Sequence, residues 1–295
     1  MRRRIIPLLF IYFISFPIVA QDFDTIAIKR TELAPGMYFL QGWGGNILAS
    51  TGDDGVFLVD DQMEALAPKI KASLAAVTKQ PVKFIFNTHF HYDHSDGNKA
   101  YGPAGGIIMA HENSRHRMTS DQLIAYFKRE QKAYTGASLP KITFTDSMDL
   151  HINGQDIHVM HVAHAHTDGD AMLFFHQANI IHMGDIFVTY GFPFVDVANG
   201  GDVRGIVASI DHVLPMLNES TRIVPGHGTV STKQDLIIYR DMVKTIYDRV
   251  CEAVGKGQSL KNIDVPSMVQ GYEDVNGIPA TDFVMFAYNS ILLSQ

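Results

Sequence analysis

Short apolar runs separated by glycine-rich turns open the ordered-looking part of the chain. Residues 37–40, 47–50 and 56–59 read as strands, broken by Gly44-Gly45 and by Gly52-Asp53-Asp54-Gly55. The second break is a strong hairpin signal. Residues 63–77 carry apolar side chains at helical spacing and stop at Gln80-Pro81. The continuous apolar run 82–87 predicts a buried strand, and 107–110, after Gly105-Gly106, another. Residues 120–134 read as a helix with Thr119 or Ser120 as N-cap. Residues 148–152 and 156–162 flank Asn153-Gly154, the pair favoured in a two-residue hairpin loop. Residues 171–175 and 179–183 look like two further paired strands. Then follow a helix over 203–217, a buried strand over 222–224, a long helix over 233–254, and a helix or strand–helix mixture over 278–293.

Strand-rich and helix-rich stretches thus occur twice with no linker between them. This predicts one α/β domain made of two halves, with the sheets packed together and the helices outside.

The first twenty residues stand apart. Arg2-Arg3-Arg4 precede an apolar segment over 5–16, Pro17 breaks it, and Ala20 is a small residue before Gln21. This is the layout of a secretory signal peptide over 1–20, leaving a mature domain over 21–295. The segment is too short and too interrupted by Pro7 for a comfortable membrane span. A periplasmic or secreted protein without a membrane anchor is therefore expected. Losing three arginines and no acidic residue takes the formal charge from −7 to −10. An acidic chain of this kind is a poor partner for nucleic acid. The single cysteine, Cys251, excludes an intrachain disulfide and reads as a small buried apolar residue. Neither composition nor pattern fixes an oligomeric state.

The candidate chemistry is concentrated in His89-Phe90-His91-Tyr92-Asp93-His94, directly after the run 82–87. Imidazole and carboxylate are the ligands a borderline divalent ion prefers when no thiolate is at hand. His89 and His91, two apart, leave a strand end on one side and can share an ion. A third nitrogen must come from elsewhere: His166 is the best candidate and His164 its rival. Asp93 and His94 face away from the first pair and could hold a second ion. Asp185 in Gly184-Asp185 and His227 in Gly226-His227-Gly228 follow strands beside glycine, where backbone can approach a ligand closely.

In this order, His89-x-His91-x-Asp93-His94, His166, Gly184-Asp185 and Pro225-Gly226-His227-Gly228 resemble the metallo-β-lactamase superfamily over nearly the whole mature chain. Gly44-Gly45-Asn46 and Phe57-Leu58-Val59-Asp60 also look like that family's first strands. The resemblance implies a four-layer αβ/βα sandwich of two mixed sheets with two zinc ions at one edge. It assigns His89, His91 and His166 to one ion, Asp93, His94 and His227 to the other, Asp185 as the bridge, and Asp60 as a residue that steadies the site from behind. Asp185 stands where the commonest lactamase branch has cysteine. A second lactamase branch shares the histidine cluster but lacks a bridging aspartate. The Gly-Asp pair is more typical of thioesterase-like, lactonase and other hydrolase branches. His91, not glutamate, argues against the di-iron electron-transfer branch. The chain looks most like secreted hydrolases described as β-lactamase-like or quinoprotein-relay-like.

The expected activity is zinc-dependent hydrolysis by a metal-activated hydroxide. The expected substrate is a small molecule: a cyclic or activated ester, thioester or amide, β-lactams among the candidates. Asp93 would both ligate and act in catalysis. Two alternatives remain open on sequence: a mononuclear iron oxygenase on the same scaffold, and a non-catalytic periplasmic metal-binding accessory protein. His164, Tyr190 and Phe192 are candidates for the substrate pocket, and the helix expected over 120–134 for a lid or wall.

Overall fold

A computed structural model describes residues 22–273 and 275–293 of the chain. The expected signal peptide and its cleavage point at Gln21 lie outside the described residues. The first sheet starts with four antiparallel strands, β1 (Lys29–Ala34), β2 (Met37–Gln41), β3 (Ile47–Gly52) and β4 (Gly55–Val59). It continues in parallel through β5 (Val82–Asn87) and β6 (Ile107–His111). A separate two-stranded hairpin follows, β7 (Gln122–Ile124) and β8 (Arg129–Gln131), and then β9 (Ile142–Phe144) completes the seven-stranded sheet beside β6. The second sheet has five strands in chain order: β10 (Ser147–Ile152), β11 (Gln155–Val162), β12 (Asp170–Phe175), β13 (Ile180–His182) and β14 (Arg222–Val224). Its last pair is parallel and the others antiparallel.

The helices are α1 (Ala67–Ala75), α2 (Tyr92–Ser95), α3 (Asn98–Tyr101), α4 (Glu112–Met118), α5 (Val203–Val213), α6 (Lys233–Gly255), α7 (Val265–Met268) and α8 (Ala280–Leu293). Helix α6 opens with a reciprocal cap: Asp235 N–H donates to Thr232 Oγ1 and Thr232 N–H to Asp235 Oδ2.

Strand β4 shows why the layers form. All five of its residues are buried. Phe57 and Val59 face the second sheet, with Phe57 6.1 Å from Phe175 of β12, and join Phe86, Val159 and Leu173 in the core between the sheets. Val56 and Leu58 point the other way, against Ile70 and Leu74 of α1. A strand with period two that is apolar on both faces needs a layer on each side. The outer face of the second sheet is covered likewise: Met160, Met172 and Ile181 pack on Ile210 of α5, Val243 of α6 and Phe283 of α8. The result is the four-layer αβ/βα sandwich.

The expected helix over 120–134 is not there. Thr119 closes α4, and the β7–β8 hairpin occupies most of the segment, turning through Lys128 at φ +50°. Leu123, Ile124, Tyr126 and Phe127 mimic a helical stripe, but Leu123 and Phe127 are exposed while Ile124 is buried. Leu123 and Ile124, adjacent in β7, fall on opposite faces of the strand, so the spacing is not that of a helix face. Strands β1 and β9 and helix α4 carried no pattern that predicted them. The last segment is helical, as α8.

Candidate metal centre

The strands β4, β5, β13 and β14 all end at one edge of the sandwich, and each is followed by a candidate residue. Asp60 follows β4; His89 and His91 follow β5; Asp185 follows β13; His227 follows β14. His166 comes from the loop between β11 and β12. Carboxyl ends of strands are where loops can converge on a ligand without disturbing the sheets. Asp93 and His94 sit on the single turn α2, which turns them away from His89 and His91 toward a second cluster.

Three imidazoles converge first. His91 Nδ1 lies 3.1 Å from His89 Nε2 and 2.9 Å from His166 Nε2. The opposite nitrogen of each ring is held from behind. His91 Nε2 donates to Asp196 Oδ2 at 2.9 Å, and His166 Nδ1 donates to the carbonyl of Phe194 at 2.9 Å. Thr88 Oγ1 donates to Asp60 Oδ2, so it accepts from His89 Nδ1 at 3.1 Å. In the neutral tautomers these partners select, all three inner nitrogens present lone pairs to one point. Burial, reinforced by the neighbouring imidazoles, holds His89 well below the usual histidine range; burial also brings His166 down to about 4. Three lone pairs at such separations repel one another and are satisfied by a cation.

The second cluster is Asp93, His94 and His227, with Asp185 between the two. His227 Nε2 is 3.1 Å from His94 Nε2 and 3.3 Å from Asp93 Oδ2. Asp185 Oδ1 is 3.1 Å from His94 Nε2, while its Oδ2 is 3.4 Å from His227 Nε2 and 3.6 Å from His166 Nε2. One carboxylate therefore reaches both clusters. Burial opposes charge on His94 and His227, but Asp185 and Asp93 outweigh it. They hold His94 well above the histidine range and His227 up to about 10. Burial likewise opposes charge on Asp93, and the His94 and His227 imidazoles overcome it, bringing the carboxyl down to about 2. This cluster has a negative potential that protons or divalent cations could neutralise. Its nitrogen and oxygen donors without thiolate suit zinc, and also iron or manganese.

Asp60 lies behind both clusters. Its carboxylate accepts from Thr88 N, Thr88 Oγ1 and His94 Nδ1 at 2.7, 2.9 and 2.7 Å. Asp60 has φ +62°, a strained conformation held by these bonds. Two glycines let backbone close on the site. A Cβ on Gly45 would strike the His94 ring, and one on Gly226 would strike Asp185 Oδ1.

A cavity of about 270 Å³ opens onto the centre and is lined by His91, Asp93, Asp185, His227, Tyr190 and, from the hairpin, Ile124 and Phe127. Two expected pocket residues are elsewhere. His164 is exposed at φ +52° with Nδ1 2.9 Å from the Gly200 carbonyl, because the loop turns it away from His166. Phe192 is buried in a stack on Phe283 of α8, and Phe194, two residues on, lines the cavity instead. The hairpin takes the wall position expected of a helix. Asp196 and Thr88 escaped sequence reasoning. Thr88, beside the histidine cluster, was within reach of it; Asp196, 105 positions from His91, gave no local signal.

The profile of the Metallo-beta-lactamase superfamily matches residues 40–227, and the chain belongs to this superfamily. Over 152 residues it is 24% identical to a hydroxyacylglutathione hydrolase of Haemophilus influenzae, covering 51% of this chain and 71% of that one. Over 265 residues it is 23% identical to a linear primary-alkylsulfatase of a Pseudomonas species, covering 74% of this chain and 50% of that one. Among solved structures, a metallo-β-lactamase from Pontibacter korlensis superposes with TM-score 0.60 at 18% identity, over 74% of this chain and 99% of that one. A sec-alkylsulfatase from a Pseudomonas species gives TM-score 0.69 at 15% identity, over 90% and 50%. At these identities the structural likeness is one of fold.

Proposed function

We propose that the chain is a two-zinc hydrolase of a cyclic or activated ester, thioester or amide. The observation that carries this reading is the convergence of three imidazole lone pairs beside a second His/Asp cluster, joined by one carboxylate and open to a cavity. His89, His91 and His166 would hold one ion, and Asp93, His94 and His227 the other, with Asp185 shared. Bound zinc would supply Lewis acidity and a hydroxide equivalent at neutral pH. Asp60, Thr88, Asp196 and the Phe194 carbonyl fix the ring orientations that such binding requires. Asp93, ionised and at the cavity wall, orients the attacking water. As the water attacks, Asp93 takes up the proton it loses; as the acyl bond to oxygen, sulfur or nitrogen breaks, that proton passes from Asp93 to the leaving group, and the water's oxygen stays with the acyl carbon. The relatives named as acting on thioesters and sulfate esters support hydrolysis as the reaction class and leave the substrate open. The basic and apolar stretch over residues 2–20 supports export, to the periplasm or outside the cell. No helix among the described residues is long and apolar enough to cross a membrane.

The test is metal analysis of the purified chain beside a panel of lactams, lactones and thioesters. About two zinc ions per chain and turnover of at least one class are expected. Asp93→Ala should abolish turnover, a loss of roughly 10²-fold or more. One iron per chain with oxygen consumption would overturn the hydrolase reading, and near-wild-type rates of Asp93→Ala with full metal content would remove Asp93 from its role.

A further inference from the structure

The cavity beside the metal centre has two unlike walls. One wall is the candidate ligands. The other is Ile124, Phe127, Phe194 and Ile278, and none of the described lining residues is lysine or arginine. Phe127 is 51% exposed and Leu123 57%, both on the β7–β8 hairpin. Large apolar side chains left open together at a cavity mouth mark a surface for an apolar ligand.

The hairpin is fixed in place. Tyr126 donates its hydroxyl proton to Asp282 Oδ2 of α8 at 2.6 Å, and its ring stacks on Phe194 at 5.5 Å. Phe127 meets the same Phe194 edge-on at 4.9 Å. Arg129, on the returning strand, lays its guanidinium over the Tyr92 ring at 4.7 Å and is not among the lining residues. A carboxylate on the substrate, away from the bond to be cut, would lose water against this wall, which no lysine or arginine among the described residues lines. Such an uncompensated burial is costly, whereas an alkyl group gains from the same contact.

Resting on the hydrolase reading above, we propose that the site selects uncharged esters or lactones with a short apolar acyl or alkyl group seated against Phe127, Ile124 and Phe194. It discriminates against substrates with a remote carboxylate. The cavity falls slightly below the ~300–1,000 Å³ of pockets for drug-sized ligands, which fits a short group.

The test uses the zinc-loaded full chain and two p-nitrophenyl esters matched in length, the uncharged pentanoate and the anionic glutarate. We expect kcat/KM at least tenfold higher for the pentanoate. Phe127→Ala should lower kcat/KM on the pentanoate about tenfold, chiefly through KM, and by less on the acetate. Equal or better hydrolysis of the glutarate overturns the proposal while leaving the hydrolase reading intact; loss of that preference in Arg129→Ala would then place the anion at that guanidinium. An unchanged pentanoate KM in Phe127→Ala also overturns it. A zinc-loaded chain that hydrolyses none of the three esters and no member of the earlier panel overturns both readings.

Discussion

His94 and His227 are the residues whose charge state ties the site to pH. In the metal-free chain, Asp185 and Asp93 hold both imidazoles protonated near neutrality, His227 with a value of about 10. Zinc needs the unprotonated nitrogen, so uptake must expel these protons. Zinc affinity should therefore fall as pH falls, and calorimetry at pH 7 in buffers of different ionisation enthalpy should count at least one proton released per chain. Zero release would show that the carboxylates do not hold these rings charged. The donors themselves were legible in the sequence because imidazole and carboxylate announce their chemistry and His89 to His94 lie together. What orients them was not. Asp196 aligns His91 and the Phe194 carbonyl aligns His166, and both come from a loop whose position only the folded chain defines. His164 shows the same limit: two residues from His166, it is sent outward by one positive φ.

Under the proposed function, the β7–β8 hairpin is the element on which substrate access would depend. It is a two-stranded ribbon, marginal by itself, attached through buried Ile124, through Gln131 Nε2 donating to the Phe90 carbonyl, and through Tyr126 against Asp282 and Phe194. Tyr126→Phe removes the hydroxyl contact and keeps the ring. It should raise KM for an apolar ester several-fold while zinc content stays at the wild-type level. An unchanged KM would mean that the remaining contacts, the Phe194 stack and Gln131 on the Phe90 carbonyl among them, hold the hairpin without the hydroxyl. This element was also the one most misread. Leu123 and Ile124 fall on opposite faces of β7 and only Ile124 and Phe127 line the cavity, so the apolar spacing of 123–127 is unrelated to a helix axis. By contrast the inner strands were legible, because burial on two faces leaves continuous apolar runs such as 56–59. The edge strand β1 is mostly exposed and polar and β9 is only three residues long, and their pattern faded accordingly.

Across the whole molecule, the metal binding proposed above would be linked to folding. A ligand at a hundred times its dissociation constant adds about 2.7 kcal/mol of stability. For a chain of this size, chelation should lower Tm by roughly 5–10 °C, read by calorimetry before and after removal of the ions. No change in Tm would mean that the site is equally formed without them. The first half of the chain supplies His89, His91, Asp93 and His94, and the second supplies His166, Asp185 and His227. Neither half holds either His/Asp cluster complete. The two sets face each other across the seam whose spacing is set by contacts such as Phe57 on Phe175. The centre thus works as a caliper on that gap. A substitution deep in the inter-sheet core, remote from any of these donors, would detune an ion held between them by moving one jaw relative to the other while every strand remains in register.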